Sequence, residues 1–218
     1  MSRRILALFA KAPVPGQVKT RLAPTISLES AAALYEAMLL DILDQHAAER
    51  DCERALWFAP AEARAWFEGV APAGWRILAQ AGADLASRMA ELFRFHTAEG
   101  FDRIVLRGTD SPTLPLERVH EAFEALDRAD LVLCPDRDGG YNLIGLREPC
   151  EPLFELELSH AGVLSQTLST ARALGLRAEI LPAHHDVDTF ADLLCLAPEL
   201  DPRLTPRTLR LSRELLSR

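Results

Sequence analysis

Short apolar runs alternate along this chain with longer amphipathic stretches, and no other feature restricts the fold as strongly. The runs Arg4–Phe9, Arg54–Ala59, Trp75–Ala79, Arg103–Arg107, Leu131–Cys134, Tyr141–Leu146 and Arg177–Leu181 read as strands. Between and after them, Leu28–Ala48, Ala61–Glu68, Leu85–Glu99, Leu116–Leu126, Gly162–Leu174, Phe190–Leu196 and Pro206–Leu216 read as helices. The first of these carries its start signals plainly. Ser27 stands at the N-cap, Glu29 lies in the first turn, and Leu34, Met38 and Ile42 recur on one face. Strands and helices in this order imply an α/β protein with a mostly parallel sheet covered on both faces. The turn Asp138-Gly139-Gly140 joins two apolar runs with no helix between them, which predicts an antiparallel excursion and hence a mixed sheet. With 218 residues, no internal repeat and no linker, the chain is expected to form one domain over residues 1–218.

In open α/β sheets, ligands bind beyond the carboxyl ends of the strands. Here the first strand leads into residues 10–22, Ala-Lys-Ala-Pro-Val-Pro-Gly-Gln-Val-Lys-Thr-Arg-Leu. Of the 24 basic residues only Lys11 and Lys19 are lysine; all the others are arginine, yet both lysines sit in this one loop. These positions are therefore read as needing a compact ammonium, which a broad guanidinium fork does not replace. Residues 1–28 carry Arg3, Arg4, Lys11, Lys19 and Arg21 and no acid, in a chain whose formal charge is −8. Lys11, Gly16, Lys19, Thr20 and Arg21 together offer cations and backbone amides to an anion such as a phosphate, and Pro13 and Pro15 stiffen the loop. The competing reading is an ordinary surface loop. A P-loop is excluded, because that motif needs glycine where Val18 stands.

Acidic residues follow the later strands. Asp110 is bracketed by Gly108 and Pro112, and a carboxylate so held suits a hard divalent cation, although it could also cap a helix or close a turn. Asp186 and Asp188 flank Val187, so in an extended segment both point to one side; Asp188 is also a candidate N-cap for the helix at Phe190. Asp84 is the most N-cap-like residue of the chain. His184 and His185 read as packing or surface histidines.

The negative charge argues against nucleic acid or an anionic membrane as partner. Cys52, Cys134, Cys150 and Cys195 are scattered, without a zinc-type or disulfide pattern, as expected of thiols in a reducing compartment. Residues 5–10 form too short an apolar run for a secretion signal, and no stretch approaches the roughly 20 apolar residues of a membrane span. A cytoplasmic protein is expected.

Four motifs in order, residues 9–22, Gly108-Thr-Asp-Ser-Pro-Thr-Leu114, Asp138-Gly-Gly-Tyr-Asn-Leu-Ile-Gly-Leu146 and Asp186-Val-Asp-Thr189, resemble the DUF2064 family of bacterial glycosyltransferase-like proteins. That family belongs to the nucleotide-diphospho-sugar transferase superfamily, and the resemblance spans residues 4 to about 196, ahead of a C-terminal helix at 206–217. The lysine loop is also similar to that of phospholactate guanylyltransferases, and Asp186-Val-Asp-Thr189 to the molybdenum-cofactor nucleotidyltransferases. The resemblance implies a three-layer α/β/α GT-A fold and a nucleotide at the carboxyl edge of the sheet. It implies Mg²⁺ or Mn²⁺ on Asp110 and Asp188, phosphates held by Lys11, Lys19 and Arg21, and a nucleotide near Asp84 and Arg88. Gly139 and Gly140, beside Asp138, would let the backbone approach the acceptor or sugar. Two departures from the family pattern are Ser111-Pro112 in place of Cys-Pro, and Leu158-Ser159-His160 in place of a Trp-Ser-Thr segment.

Three functions are weighed. Glycosyl transfer from a nucleotide-diphospho-sugar to a small acceptor is placed first, with Lys19 and Asp110 as the catalytic pair. Nucleotidyl transfer from an NTP to a phosphorylated small molecule is the alternative, favoured by three clustered cations that match a triphosphate. A non-catalytic nucleotide-binding protein comes third, since the metal aspartates are present. No general base is evident; Asp138 and His185 are candidates.

Overall fold

The computed structural model describes residues 2–155 and 162–217. Leu158-Ser159-His160 lies outside the described residues. The expected strands form a single seven-stranded sheet: β1 Arg4–Lys11, β2 Glu53–Ala59, β3 Arg76–Ala79, β4 Arg103–Arg107, β5 Leu131–Pro135, β6 Tyr141–Leu146 and β7 Ala178–Ile180, in the order β3-β2-β1-β4-β6-β5-β7. All neighbours run parallel except β6, which is antiparallel to both β4 and β5. This is the excursion that the Asp138-Gly139-Gly140 turn predicts. Gly145 of β6 pairs with Val105 and Val132 on either side, and a Cβ on it would stand 2.5 Å from Val132 Cγ1. Only glycine lets that strand lie so close under its neighbour.

Eight helices accompany the sheet among the described residues: α1 Ala23–Ile26, α2 Leu28–Gln45, α3 Arg64–Val70, α4 Leu85–Ala98, α5 Glu117–Ala125, α6 Val163–Ala173, α7 Phe190–Leu196 and α8 Pro206–Leu216. The short α1 is absent from the sequence reading, because four residues with Pro24 at the start show no periodicity. The helix expected at 61–68 is divided into a 3₁₀ turn, Ala61–Ala63, and α3.

Strand side chains alternate between two cores. Leu6 and Leu8 face α2, α3 and α5, burying against Leu39, Phe67 and Phe123, whereas Ile5 and Ala7 face α4 and α6, with Leu92, Phe93 and Ala171. Covering both faces produces the three-layer α/β/α architecture. A third cluster docks α7 and α8 on the outer side of α2 through Leu34, Met38, Leu193 and Leu215. There the fully buried Asp41 accepts hydrogen bonds from Thr208 N and Oγ1, both at 2.8 Å, and pairs with Arg207 Nη1 at 3.0 Å. A carboxylate buried on an apolar helix needs such partners, and they fix the C-terminal helix in place.

The order of the strands positions the site. From β1 the chain steps outward to β2 and β3, then crosses back to β4 on the other side of β1. The carboxyl ends of β1 and β4 therefore border the topological switch point, where connections diverge and leave a crevice.

On the α4 face the buried His96 accepts from Trp57 Nε1 at 3.0 Å and contacts Glu99 through Nδ1 at 3.1 Å. Burial pushes its pKa down from 6.5 to about 4. The native state then refuses a proton that the unfolded chain accepts, so stability is full above pH 6.5 and falls as pH drops towards 4. Denaturant titrations of His96→Gln across this window are expected to show a flatter pH profile than the parent chain.

Candidate active site

The crevice at the switch point is a cavity of 620 Å³ whose floor and walls come from the ends of β1, β4 and β6, the lysine loop, the start of α4 and the segment after β7. Lys19 is among the residues that line it. Its backbone adopts a positive φ of 47°, which turns the side chain inward, and that side chain is only 4% exposed. The ammonium meets Asp110 Oδ1 at 2.5 Å and Asp188 Oδ1 at 2.9 Å. Burial acts to lower the Lys19 pKa, but attraction to the two carboxylates outweighs it and holds the ammonium firmly charged, above its ordinary range. Asp188 shows the reverse balance. Burial alone would raise its pKa, and Lys19 and Arg21 bring it below the usual carboxylate value.

The structure brings most of the residues expected from the sequence to this crevice. Lys11, Lys19, Arg21, Asp84, Arg88, Asp110, Asp138, Gly140 and Asp188 all line the cavity. Arg21 is 70% exposed and 3.5 Å from Asp188 Oδ2, so it lies at the rim. Among the described residues Lys11 has no ion-pair partner, leaving its charge for a ligand. Gly16 and Gly139 do not line the cavity; with φ of 80° and 95° they turn the loops that do. Asp84 caps α4 in a capping box, accepting from Ser87 N at 2.8 Å, and also borders the cavity. Arg88, one turn along, donates through Nε to Gly82 O at 3.1 Å. The N-cap of α7 is Thr189, boxed with Asp192, rather than Asp188. That division of labour leaves the Asp188 carboxylate free to face Lys19. His185, weighed as a base, is buried outside the cavity lining.

Several residues were not singled out from the sequence. Tyr35 of α2 is buried at the wall of the crevice, where its hydroxyl pairs with Thr109 Oγ1 at 2.9 Å and accepts from Lys11 N at 3.0 Å. Thr109 Oγ1 lies 2.9 Å from Phe9 O, so one small network ties the ends of β1 and β4 together. Arg107, at the end of β4, is fully buried; its Nη2 donates to Ser111 O at 2.7 Å and its Nη1 meets His46 Nε2. Burial lowers its pKa to about 10, and it shapes the turn that carries Asp110. An arginine inside the run Arg103–Arg107 was the available signal, but strand ends commonly carry exposed basic residues. Asp136 accepts from Asp186 N at 3.0 Å, and Ser111 Oγ donates to Asp186. Burial, with a hydrogen bond that its protonated form donates to the Asp138 carboxylate, pushes Asp136 up to about 6. Burial beside Asp110 pushes Asp186 to about 8. Asn142 of β6, 4% exposed, lines the cavity with both side-chain polar atoms unpartnered among the described residues.

The mixed seven-stranded sheet, covered by helices on both faces and opening on a crevice at its switch point, has the nucleotide-diphospho-sugar transferase fold. The comparison with solved structures agrees: a protein from Desulfovibrio desulfuricans G20, solved as a candidate nucleotide-diphospho-sugar transferase, superposes with a TM-score of 0.91 at 32% identity, over 100% of this chain and 96% of that one. The chain belongs to the DUF2064 family, described as an uncharacterized protein conserved in bacteria, which matches residues 42–159. It is also 30% identical over 179 residues to a 2-phospho-L-lactate guanylyltransferase of Methanothermobacter thermautotrophicus, covering 80% of this chain and 76% of the relative. A 3-phospho-D-glycerate guanylyltransferase of Phenylobacterium zucineum is 35% identical over 173 residues, 76% of each chain.

Lys19→Arg keeps the charge but cannot seat a guanidinium in a pocket shaped for an ammonium. Calorimetry with nucleotide triphosphate is expected to show affinity falling roughly tenfold; wild-type affinity would remove the case for a point charge at this position.

Proposed function

We propose that this chain is a nucleotidyltransferase that couples an NTP, GTP first among them, to the phosphate of a phosphorylated small-molecule acid. The observation that carries this reading is the Lys19 ammonium held between Asp110 and Asp188, with Lys11 and Arg21 beside it at the mouth of the crevice. The two guanylyltransferase relatives support it, since the acceptors in their names are a phospholactate and a phosphoglycerate. Glycosyl transfer, the first expectation from sequence, becomes the second reading. The point in its favour is Asp136, whose pKa near 6 suits a base that takes the proton of a sugar hydroxyl.

In the proposed reaction an oxygen of the acceptor phosphate attacks the α-phosphorus of the NTP. The bond from that phosphorus to the bridging oxygen breaks, and pyrophosphate departs. A phosphate monoester with a second pKa of about 6 is already a dianion at neutral pH, so no residue has to deprotonate it. What remains is positioning and charge stabilisation, the principal tasks in phosphoryl-type transfer. Lys19 and Lys11 would stand where charge accumulates on the leaving pyrophosphate, and the near-complete burial of Lys19 strengthens its share of that effect. Asp110 and Asp188 fit a divalent cation of the Mg²⁺ or Mn²⁺ class: both line the cavity, their side chains are 40% and 39% exposed, and both already meet the Lys19 ammonium. Such an ion, when bound, would neutralise phosphate charge and polarise the reacting phosphorus. The Asn142 carboxamide offers a donor and an acceptor to the ligand.

The four cysteines are free, in keeping with a reducing, cytoplasmic setting for this chemistry. Among the described residues no helix is long and apolar enough to cross a membrane.

Pyrophosphate release should be measured with each NTP, Mg²⁺ and either 2-phospho-L-lactate or 3-phospho-D-glycerate. Release that requires both NTP and acceptor, and that falls by about a hundredfold or more in Asp110→Asn, is the expected result. Turnover of nucleotide sugars, with no NTP consumed beside any phosphorylated acid, would favour glycosyl transfer instead.

A further inference from the structure

Below the crevice, on the segment that leads from β7 to Asp186 and Asp188, His184 and His185 approach Glu199 of the 3₁₀ turn Ala197–Glu199. One ligand-type atom from each of the three lies within 4.8 Å of the others. His185 is 5% exposed, and neither of its ring nitrogens has a hydrogen-bond partner among the described residues; its Nε2 is 3.6 Å from Glu199 Oε2. A buried imidazole with both nitrogens unsatisfied calls for an explanation, and an ion is one of the few that suffice. His184 stacks on it with ring centroids 4.8 Å apart, and its Nε2 is 3.0 Å from Thr113 Oγ1. Metal-bound histidines commonly have their second nitrogen held by such a partner.

We propose that His184, His185 and Glu199 bind a divalent metal of the zinc class at a site separate from the crevice. Two imidazoles and one carboxylate form a donor set that zinc favours, with the fourth position left to water. Ligands on zinc stand about 2.0–2.2 Å from the ion, so the set must close on binding. Glu199, 42% exposed on its side chain, is the member free to move inward. Burial, helped by the nearby Arg107, Arg118 and Arg137, keeps His184 neutral, as a ligand must be, but those arginines also repel a cation. The Glu199 charge is therefore essential to the site. The His184 backbone is anchored to β5 through His184 N to Pro135 O at 2.9 Å. A bound ion would fasten the segment carrying Asp186 and Asp188 to the turn after α7, and so steady one wall of the crevice.

The test uses the whole chain, freed of metal, with Zn²⁺ and Co²⁺ as probes. Expected is one Co²⁺ per chain with the visible bands of a tetrahedral, histidine-ligated ion, apart from any weakly coloured oxygen-ligated Co²⁺ at Asp110 and Asp188; Zn²⁺ should displace it and raise the melting temperature. Glu199→Gln should weaken binding roughly tenfold to a hundredfold and remove most of the thermal shift. Because Glu199 is exposed, this variant reports even if His184→Gln or His185→Gln fails to fold. Asp110→Asn should leave the cobalt bands in place. Absence of the tetrahedral bands at one Co²⁺ per chain, or bands that survive Glu199→Gln and vanish in Asp110→Asn, would overturn the assignment, the latter by moving the metal to the crevice.

Discussion

A single buried ammonium holds the crevice in order. Lys19 sits between Asp110, at the end of β4, and Asp188, beyond β7, and draws to one point three segments that are far apart in the chain. Without a cation there, two carboxylates would face each other across a partly dehydrated space, an arrangement that repulsion disfavours. The lysine loop, the β4 turn and the segment after β7 therefore depend on one another. A positive φ at Lys19 is tolerated because the ion pairs oblige that geometry.

The same interaction connects architecture with chemistry. Parallel strands on either side of β1 create the crevice, and the Tyr35–Thr109 bridge closes its floor. Arg107 then braces the Asp110 turn from within the core, with His46 pressed against it and kept neutral by burial and by that guanidinium. The result is a rigid set of charges of both signs, with Lys11 and Arg21 still able to take up a ligand. Such preorganisation suits a reaction in which charge moves between phosphate oxygens and little else is asked of the protein.

Much of this was legible in the chain. Strand and helix periodicities differ enough that all seven strands and the seven long helical stretches could be placed, and the Asp138-Gly139-Gly140 turn marked the one reversal of direction. The residues of the lysine loop stood out because lysine is otherwise absent from an arginine-rich sequence. Tyr35, Arg107, Asn142 and Asp136 were harder to find. Each sits in an apolar or strand-end pattern where its neighbours explain it without any site, and only the approach of distant segments gives it partners.

The layers, the mixed sheet, and the cationic and acidic motifs at the strand ends follow from local periodicity, turn chemistry and residue type, and so could be read from the chain alone. It could not tell whether Asp188 caps a helix or faces the crevice; Thr189 takes the cap, and the carboxylate turns to Lys19. Nor could it show that Lys19 would be buried against two acids, or that His184 and His185 would meet Glu199. The meeting at Lys19 is a consequence of strand order, which brings together residues as far apart as Lys19 and Asp188, 169 positions in the chain; the histidines meet Glu199 because the chain folds back after α7. Electrostatic partnership depends on distance in space, and only the folded sheet sets that distance.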